Sequence, residues 1–209
     1  MKMTEAIESL YPESAESVHA AIESLVAKYQ ADASPKKRPL SESDAIMITY
    51  GDSFQDELGT PLDCLRRFAC EQLGESISAI HLLPCFPYTS DDGFSVLDYY
   101  QIAPNLGDWE DVDQIGQSYE LMFDAVVNHI SQHSSWFKGF LNHEPEYADF
   151  FIVGDPDADY SMVTRPRALP LLHPYKQGDE TVHVWTTFSD DQVDLNFSSP
   201  GVFLAGLDV

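Results

Sequence analysis

Short apolar runs that alternate with helical segments constrain the fold of this chain more than any other feature. The runs are 45–50, 77–83 and 120–127. Between them lie two predicted helices, one from the Thr60–Pro61 cap and first-turn proline to Gly74, and one from the Asp108 cap to Gly116. Continuous apolar strands separated by helices favour a parallel sheet covered on both faces. We therefore predict an α/β fold.

The remaining segments divide the chain into four predicted parts. An amphipathic helix over 14–30 and a linker form a helical extension, 1–43, before the strand and helix units of 44–130. Residues 131–198 form a loop-rich insertion in which only 180–188 has a strand pattern. Such long irregular insertions are more often functional than structural, so we expect a lid over the mouth of the sheet. The last part, 199–209, is the start of the next helix.

Charge and composition exclude several classes of partner. The chain has 35 acidic and 11 basic residues and a net charge of −24, which opposes approach to nucleic acid and to anionic membranes. It contains no membrane-spanning run and no secretory signal, and we expect a cytoplasmic protein. Its three cysteines lack metal-type spacing and are expected to be reduced thiols.

The segment from Asp124 to His129 is the main candidate site. Three polar side chains, Asp124, Asn128 and His129, follow an apolar strand. Parallel α/β folds place their catalytic and binding residues at the carboxyl ends of their strands. They could bind sugar hydroxyls or a cation. Metal binding by His129 and His133 is the weaker alternative because the glutamate of a zinc-protease motif is absent, and a purely structural histidine is the other.

Two segments of the chain resemble conserved regions of the α-amylase family. These are Asp124–His129 and Gln192–Asn196. Four more are similar to the sucrose phosphorylase group: 91–94, 127–131, 165–170 and 184–188. Sucrose phosphorylases usually have a tyrosine where this chain has Thr164, and the run 164–172 looks closer to the glucosylglycerate phosphorylases.

The resemblance implies a fold and a reaction. The fold would be the N-terminal part of a (β/α)8 TIM barrel, incomplete, with the insertion after its third strand. The reaction would be retaining transfer of an α-glucosyl unit to phosphate, without a cofactor or metal. Its small-molecule partners would be an α-glucoside and inorganic phosphate.

The resemblance also implies roles for individual residues. Those implied to bind substrate are Asp91, Phe94, His129, Arg167 and Gln192, while those implied to support them are Asp124, Asn128 and Arg165. A turn residue is the plainer alternative for Asp91, and surface ion pairing is the alternative for the two arginines. Asp124 would pair with an arginine from outside this sequence, because no Lys or Arg occurs between Arg67 and Lys138.

No Arg-x-Asp motif of the nucleophile type occurs in the chain. The resemblance therefore implies that the nucleophile and the acid/base lie beyond Val209, and that this chain is an N-terminal fragment that is inactive alone. A fragment of an α-glucosidase, sucrose hydrolase or transglucosidase, or a non-catalytic remnant, is the alternative. We also expect association of the chain, because three parallel strands leave an open edge and an uncovered apolar face.

Overall fold

A computed structural model of the protein describes residues 2–29, 39, 41–164 and 168–209. The chain forms two compact units. The sheet unit is Arg38–Val126, and the insertion unit combines Met1–Lys37 with Val127–Val209. The N-terminal helices thus fall in one unit with the insertion, a grouping that the four-part division from sequence did not predict.

Six α-helices and seven strands form in the described residues. The helices are α1 (Met3–Leu10), α2 (Ala15–Tyr29), α3 (Pro61–Phe68), α4 (Trp109–Gly116), α5 (Ser135–Leu141) and α6 (Pro200–Asp208). The strands are β1 (Ile46–Thr49), β2 (Ala79–Leu82), β3 (Glu120–Phe123), β4 (His129–Ser131), β5 (Leu172–Gln177), β6 (Glu180–Trp185) and β7 (Gln192–Asp194). None of the helices in the described part of the chain is both long and apolar enough to span a bilayer.

In the sheet unit, β1, β2 and β3 form a parallel sheet in that order. This confirms the predicted α/β arrangement of these elements. The cap of α3 is also as predicted: the Asp63 backbone N–H donates to Thr60 Oγ1 at 3.1 Å, and Pro61 occupies the first turn. A π-helical turn, Ala69–Leu73, extends α3 to Gly74, whose positive φ of 50° ends it.

Only one face of this sheet is covered within the described residues. Leu62 and Leu65 of α3, Ile115 of α4 and Ile80 and Leu82 of β2 share one core. The alternate residues Ile46, Ile48 and Met122 are exposed on the other face. Cover on both faces, which the strand pattern favours, is therefore not seen in the described residues, whereas the expected uncovered apolar face is present.

The insertion unit contains two antiparallel strand pairs. β4 pairs with β7, and β5 pairs with β6. Strand β6 confirms the predicted strand at 180–188, but β4, β5, β7 and α5 were not predicted. Pro174 lies inside β5, where it is tolerated because a strand of a two-stranded pair has a free edge. Stacked and edge-on rings of Phe137, Phe140, Phe151 and Tyr175 pack the core of this insertion.

The N-terminal helices pack against α6 in the same unit. Tyr11 and Ile22 belong to a buried cluster that contacts Phe203, and the Tyr11 hydroxyl donates to the Phe197 carbonyl at 2.8 Å. Lys28 Nζ lies 2.7 Å from the Asp208 carboxylate. The predicted amphipathic helix over 14–30 is confirmed as α2, whereas α1 was not predicted.

Candidate functional site

The loop after β2 carries Asp91 and Phe94 in a tight turn. Asp91 and Asp92 have φ angles of 56° and 51°, a left-handed conformation that non-glycine residues rarely adopt. Gly93 follows with φ 100°, and a Cβ there would lie 2.8 Å from the Pro84 carbonyl oxygen. Backbone of this kind costs on the order of 1–3 kcal/mol per residue and is concentrated at functional sites. The turn belongs to the loop that leaves the carboxyl end of β2, and the close approach of Gly93 to Pro84 constrains its backbone.

A cavity of about 280 Å³ lies beside this turn within the sheet unit. The residues that line it follow β1 and β2 or precede α4: Tyr50, Gly51, Asp52, Pro84, Tyr88, Asp92, Asn105 and Leu106. Sequence reasoning missed this cavity because its walls come from two separate loops, the one after β1 and the long one between β2 and α4, and no motif connects them.

The lining of the cavity suits a neutral polyhydroxylated ligand. Tyr50 and Tyr88 are both exposed and offer flat apolar faces with a polar tip. The carboxylates of Asp52 and Asp92 can accept hydrogen bonds from hydroxyl groups, and the amide of Asn105 can donate or accept. None of the described lining residues carries a positive charge, so the cavity disfavours anions.

Asp124 follows β3 directly, at the same carboxyl end of the strands as the Asp91 loop. Its Oδ2 lies 3.0 Å from Nε2 of His81, which belongs to the neighbouring strand β2. The two side chains are 29% and 17% exposed. The parallel register thus gives Asp124 a histidine partner from within the sheet, while the expected arginine from outside this sequence stays a prediction.

His129 and Gln192 are in contact in the insertion unit. His129 begins β4 and is 6% exposed, so it lies on a separate strand and not at the end of β3. Its Nε2 is 3.2 Å from Nε2 of Gln192, which begins β7 and is 1% exposed. The Ser189 hydroxyl donates to Gln192 Oε1 at 2.8 Å, and the Phe188 ring lies 5.0 Å from the imidazole.

Asp194 is a buried carboxylate directly opposite His129 in the β4–β7 pair. Burial raises its pKa, whereas hydrogen bonds from the Thr187 hydroxyl and backbone N–H and the charge of His129 oppose this shift. Asn128 is exposed, and its carbonyl oxygen accepts from the Leu195 backbone N–H at 3.0 Å. These contacts hold the His129 segment against the end of the insertion.

The predicted site residues are thus distributed over both units. Asp91, Phe94 and Asp124 lie in the sheet unit, while Asn128, His129 and Gln192 lie in the insertion unit. Arg165 and Arg167 lie outside the described residues. Within each unit, the structure brings Asp91 and Phe94 into one turn and His129 and Gln192 into contact.

Metal ligands and thiols are not assembled into a site in the part of the chain that the structure describes. That part contains no group of three or more His, Cys, Asp or Glu residues placed to hold a metal ion. The three cysteines are free thiols, of which Cys64 and Cys85 are buried and Cys70 is exposed. Burial raises the pKa of the Cys85 thiol to about 11, which makes it a poor nucleophile at neutral pH.

Comparison with known proteins identifies a family. The family model for the alpha amylase catalytic domain matches residues 71–208. Glucosylglycerate phosphorylase from Escherichia coli (strain K12) is 51% identical over 175 residues, which cover 83% of this chain and 31% of that protein. Sucrose phosphorylase from Streptococcus mutans is 35% identical over 163 residues, which cover 72% of this chain and 33% of that protein.

A solved structure shows the same relationship. The crystal structure of sucrose 6F-phosphate phosphorylase from Thermoanaerobacter thermosaccharolyticum is 29% identical and superposes with a TM-score of 0.71. The match covers 83% of this chain and 38% of that chain. The chain spans about a third of the length of the curated relatives that it matches.

Proposed function

The chain belongs to the α-amylase family, and on this premise we propose that it is the substrate-binding part of a retaining phosphorylase that acts on an α-glucoside, with glucosylglycerate as the favoured substrate. One observation carries the choice of substrate: identity is 51% to a glucosylglycerate phosphorylase and 35% to a sucrose phosphorylase. Sucrose is the second candidate. Inorganic phosphate is the proposed second substrate.

The sheet unit supports a role in binding the neutral glucosyl group. The cavity beside the Asp91 turn lies where parallel α/β folds bind their ligands. Its tyrosines and carboxylates match a ring that carries hydroxyl groups and no charge. We propose that Asp91 and Phe94 bind the glucosyl unit from the adjoining loop and that Asp124, held by His81, supports this edge.

The anionic parts of the substrates need a different set of side chains. Phosphate and the glycerate carboxylate must approach a chain with a net charge of −24, so the surrounding field repels them. Guanidinium groups bind such anions through two parallel hydrogen bonds. We propose that Arg167 supplies these bonds, with support from Arg165.

In the insertion unit, we propose that His129 contacts the glucosyl unit and that Asn128 supports it. His129 is almost fully buried, so a ligand hydroxyl reaches only a small part of its ring. Both polar atoms of the Gln192 amide contact protein groups, Ser189 and His129. We therefore propose that Gln192 contributes to substrate binding indirectly, through these groups.

The reaction itself needs residues that these 209 do not supply. Retaining transfer uses a carboxylate nucleophile and a carboxylic acid that protonates the leaving oxygen, after which phosphate displaces the enzyme. Because the sequence lacks an Arg-x-Asp motif, we propose that this chain binds the glucosyl unit but does not cleave the bond. Glucose 1-phosphate released from glucosylglycerate and phosphate above a heat-treated control would contradict this.

Glucoside binding by the chain can be tested with matched variants. Calorimetric titration with methyl α-glucoside should show binding that weakens in Tyr88→Ala and Asp52→Asn. The control is Tyr100→Ala, since Tyr100 is equally exposed in the same unit but does not line the cavity. Equal affinity in all four proteins would remove the cavity from the proposal.

Turnover assays, combined with the same titrations, separate the alternatives. Binding without turnover in any longer form of the protein would favour a non-catalytic remnant. Turnover of that longer form that does not depend on phosphate would favour a hydrolase or transglucosidase.

A further inference from the structure

We propose that Tyr99 is a positioning residue that links the Asp91 loop to the segment after β3, and so fixes the place of Asp91 relative to Asp124. The functional meaning of this inference rests on the proposed roles of these two aspartates at the glucosyl-binding end of the sheet. The link itself is a property of the free protein and can be measured without any ligand.

The Asp91 turn lies at the tip of a short hairpin, residues 87–97. The two arms of this hairpin form an antiparallel bridge between Tyr88 and Val96. Tyr88 and Asp92 also line the cavity of the sheet unit. The position of the hairpin therefore determines the shape of one wall of the cavity.

Tyr99 follows the hairpin by two residues and is buried, with 5% of its surface exposed. Its hydroxyl oxygen lies 2.8 Å from the carbonyl oxygen of Val126. A carbonyl oxygen can only accept, so the hydroxyl must donate its hydrogen to it. The Phe86 ring packs edge-on against the Tyr99 ring, with 6.2 Å between the two centroids, and this contact restricts the side chain further.

The carbonyl that accepts this hydrogen bond belongs to the segment that carries Asp124. The Val126 backbone N–H donates to the Asp124 carbonyl at 3.1 Å, so this segment forms a tight turn. The Asp124 carboxylate lies 3.0 Å from His81 Nε2. Tyr99 thus connects the base of the hairpin, through Val126, to the pair formed by Asp124 and His81.

Tyr99 acts through its neighbours and not on the ligand. It is buried, and it is not one of the residues that line the cavity. Without its hydroxyl the Val126 carbonyl loses this donor, and a buried carbonyl without a donor is costly. We expect residues 124–126 to shift in order to regain a donor, which changes the place of Asp124 relative to the hairpin.

The test compares two tyrosine variants of the 209-residue protein. Tyr99→Phe removes only the hydroxyl that donates to Val126. Tyr119→Phe is the matched control, because Tyr119 is 7% exposed in the same unit and its hydroxyl donates to the Gly74 carbonyl at 3.2 Å. Tyr119 directly precedes β3 and so lies at the opposite end of that strand. Each variant loses one tyrosine hydroxyl, so stability alone does not distinguish them.

Two readouts report on the carboxyl end of the strands. The first is the ¹⁵N spectrum of the His81 imidazole, with its signals identified by their loss in His81→Ala. In Tyr99→Phe these signals should move toward their position in Asp124→Ala, which lacks the contact. The second is calorimetric titration with methyl α-glucoside, whose affinity should fall about two- to tenfold in Tyr99→Phe, the equivalent of one net hydrogen bond. Tyr119→Phe should leave both readouts unchanged.

Phe86→Leu keeps the test decisive if Tyr99→Phe fails to fold. This variant retains the Tyr99 hydroxyl but removes the ring that packs against it. The His81 signals should move in the same direction as in Tyr99→Phe, by a smaller amount.

The proposal is overturned if the His81 signals of Tyr99→Phe, or of Phe86→Leu where only that variant folds, match those of the unsubstituted chain. It is also overturned if these signals move equally in Tyr119→Phe, or if Tyr99→Phe binds the glucoside as tightly as the unsubstituted chain does. Failure of the proposed function looks different. If the His81 signals respond as expected but the unsubstituted chain does not bind methyl α-glucoside, Tyr99 links the two segments and their glucosyl-binding role is lost.

Discussion

The contact between His81 and Asp124 yields a quantitative prediction about how strongly these two side chains stabilise the carboxyl end of the sheet. The contact joins β2 to the residue after β3 over 3.0 Å. The relevant quantity is the coupling free energy in a double-mutant cycle of His81→Ala, Asp124→Ala and the double variant, because this cycle separates the contact from the other effects of each substitution.

The structure sets the expected size of this coupling. Hydrogen bonds that involve a charged group contribute roughly 1.5–3 kcal/mol when buried. Here the side chains are 17% and 29% exposed, and solvent screening lowers the contribution. We therefore expect a coupling of about 1 kcal/mol, below the range for a buried charge-assisted bond and at the upper end of that for exposed ion pairs.

The assay is urea unfolding of the four proteins, followed by circular dichroism. The control cycle uses His19 and Glu23, a pair on α2 whose atoms are 3.4 Å apart and whose side chains are 31% and 69% exposed. This pair should show a coupling near zero. If the His81–Asp124 coupling is below about 0.4 kcal/mol, the usual error of additivity, then His81 is not the group that compensates Asp124, and the account of this edge is wrong.

Three further predictions concern association, pH and anion binding. Ile48→Lys should reduce self-association, measured by light scattering, because Ile48 is 64% exposed on the uncovered face of the sheet. The control Leu58→Lys, at an exposed loop position, should leave self-association unchanged. Equal behaviour of the two variants would show that this face of the sheet is not the surface that associates. Burial raises the pKa of Asp194, so its stabilising contribution is present below its ordinary pKa and is lost as pH rises through the raised value. In thermal melts, Asp194→Asn should therefore gain stability relative to the unsubstituted chain as pH rises above the ordinary pKa of an aspartate, about 4. A stability difference that does not change with pH would refute this. In a longer form of the protein that is active, Arg167→Ala should weaken phosphate or glycerate binding by about 1.5–3 kcal/mol, and Arg167→Lys should weaken it by less. The measurement is phosphorolysis kinetics. Equal loss of phosphorolysis and hydrolysis would instead indicate that Arg167 has a structural role in holding the insertion.

The elements that could be predicted from the sequence are those with local signals. The start of α3 at Thr60 and Pro61 and its end at Gly74 depend on caps and backbone angles that neighbouring residues determine. Strand β2 was predicted because it lies in an almost wholly apolar run, and the structure buries three of its four residues. In these cases the preference of the segment agrees with its environment in the fold.

The elements that were missed depend on contacts between distant segments. β4 and β7 have three residues each, too few to show a period, and they exist because they pair with each other. Pro174 weakens the strand pattern of β5, and β5 exists because it pairs with β6. The His81–Asp124 contact depends on the register of the sheet, and composition does not reveal register.

The candidate site was predictable to a similar extent. The motifs around Asp91 and His129 were visible in the sequence, and the structure places each in an ordered segment at the edge of a strand or turn. The contact between His129 and Gln192 and the cavity beside Tyr88 were not visible. They join residues from separate loops or strands, and only the fold brings those residues together.

The most direct test of the proposed function is the reaction of a chimera in which these 209 residues replace the matching part of the Escherichia coli glucosylglycerate phosphorylase. The identity of 51% over 175 residues makes this exchange practical. The measurement is release of glucose 1-phosphate from glucosylglycerate with and without phosphate, and from sucrose under the same conditions. We predict release from glucosylglycerate that requires phosphate and exceeds release from sucrose. A folded chimera that releases only free glucose, or that prefers sucrose, would contradict the proposed function.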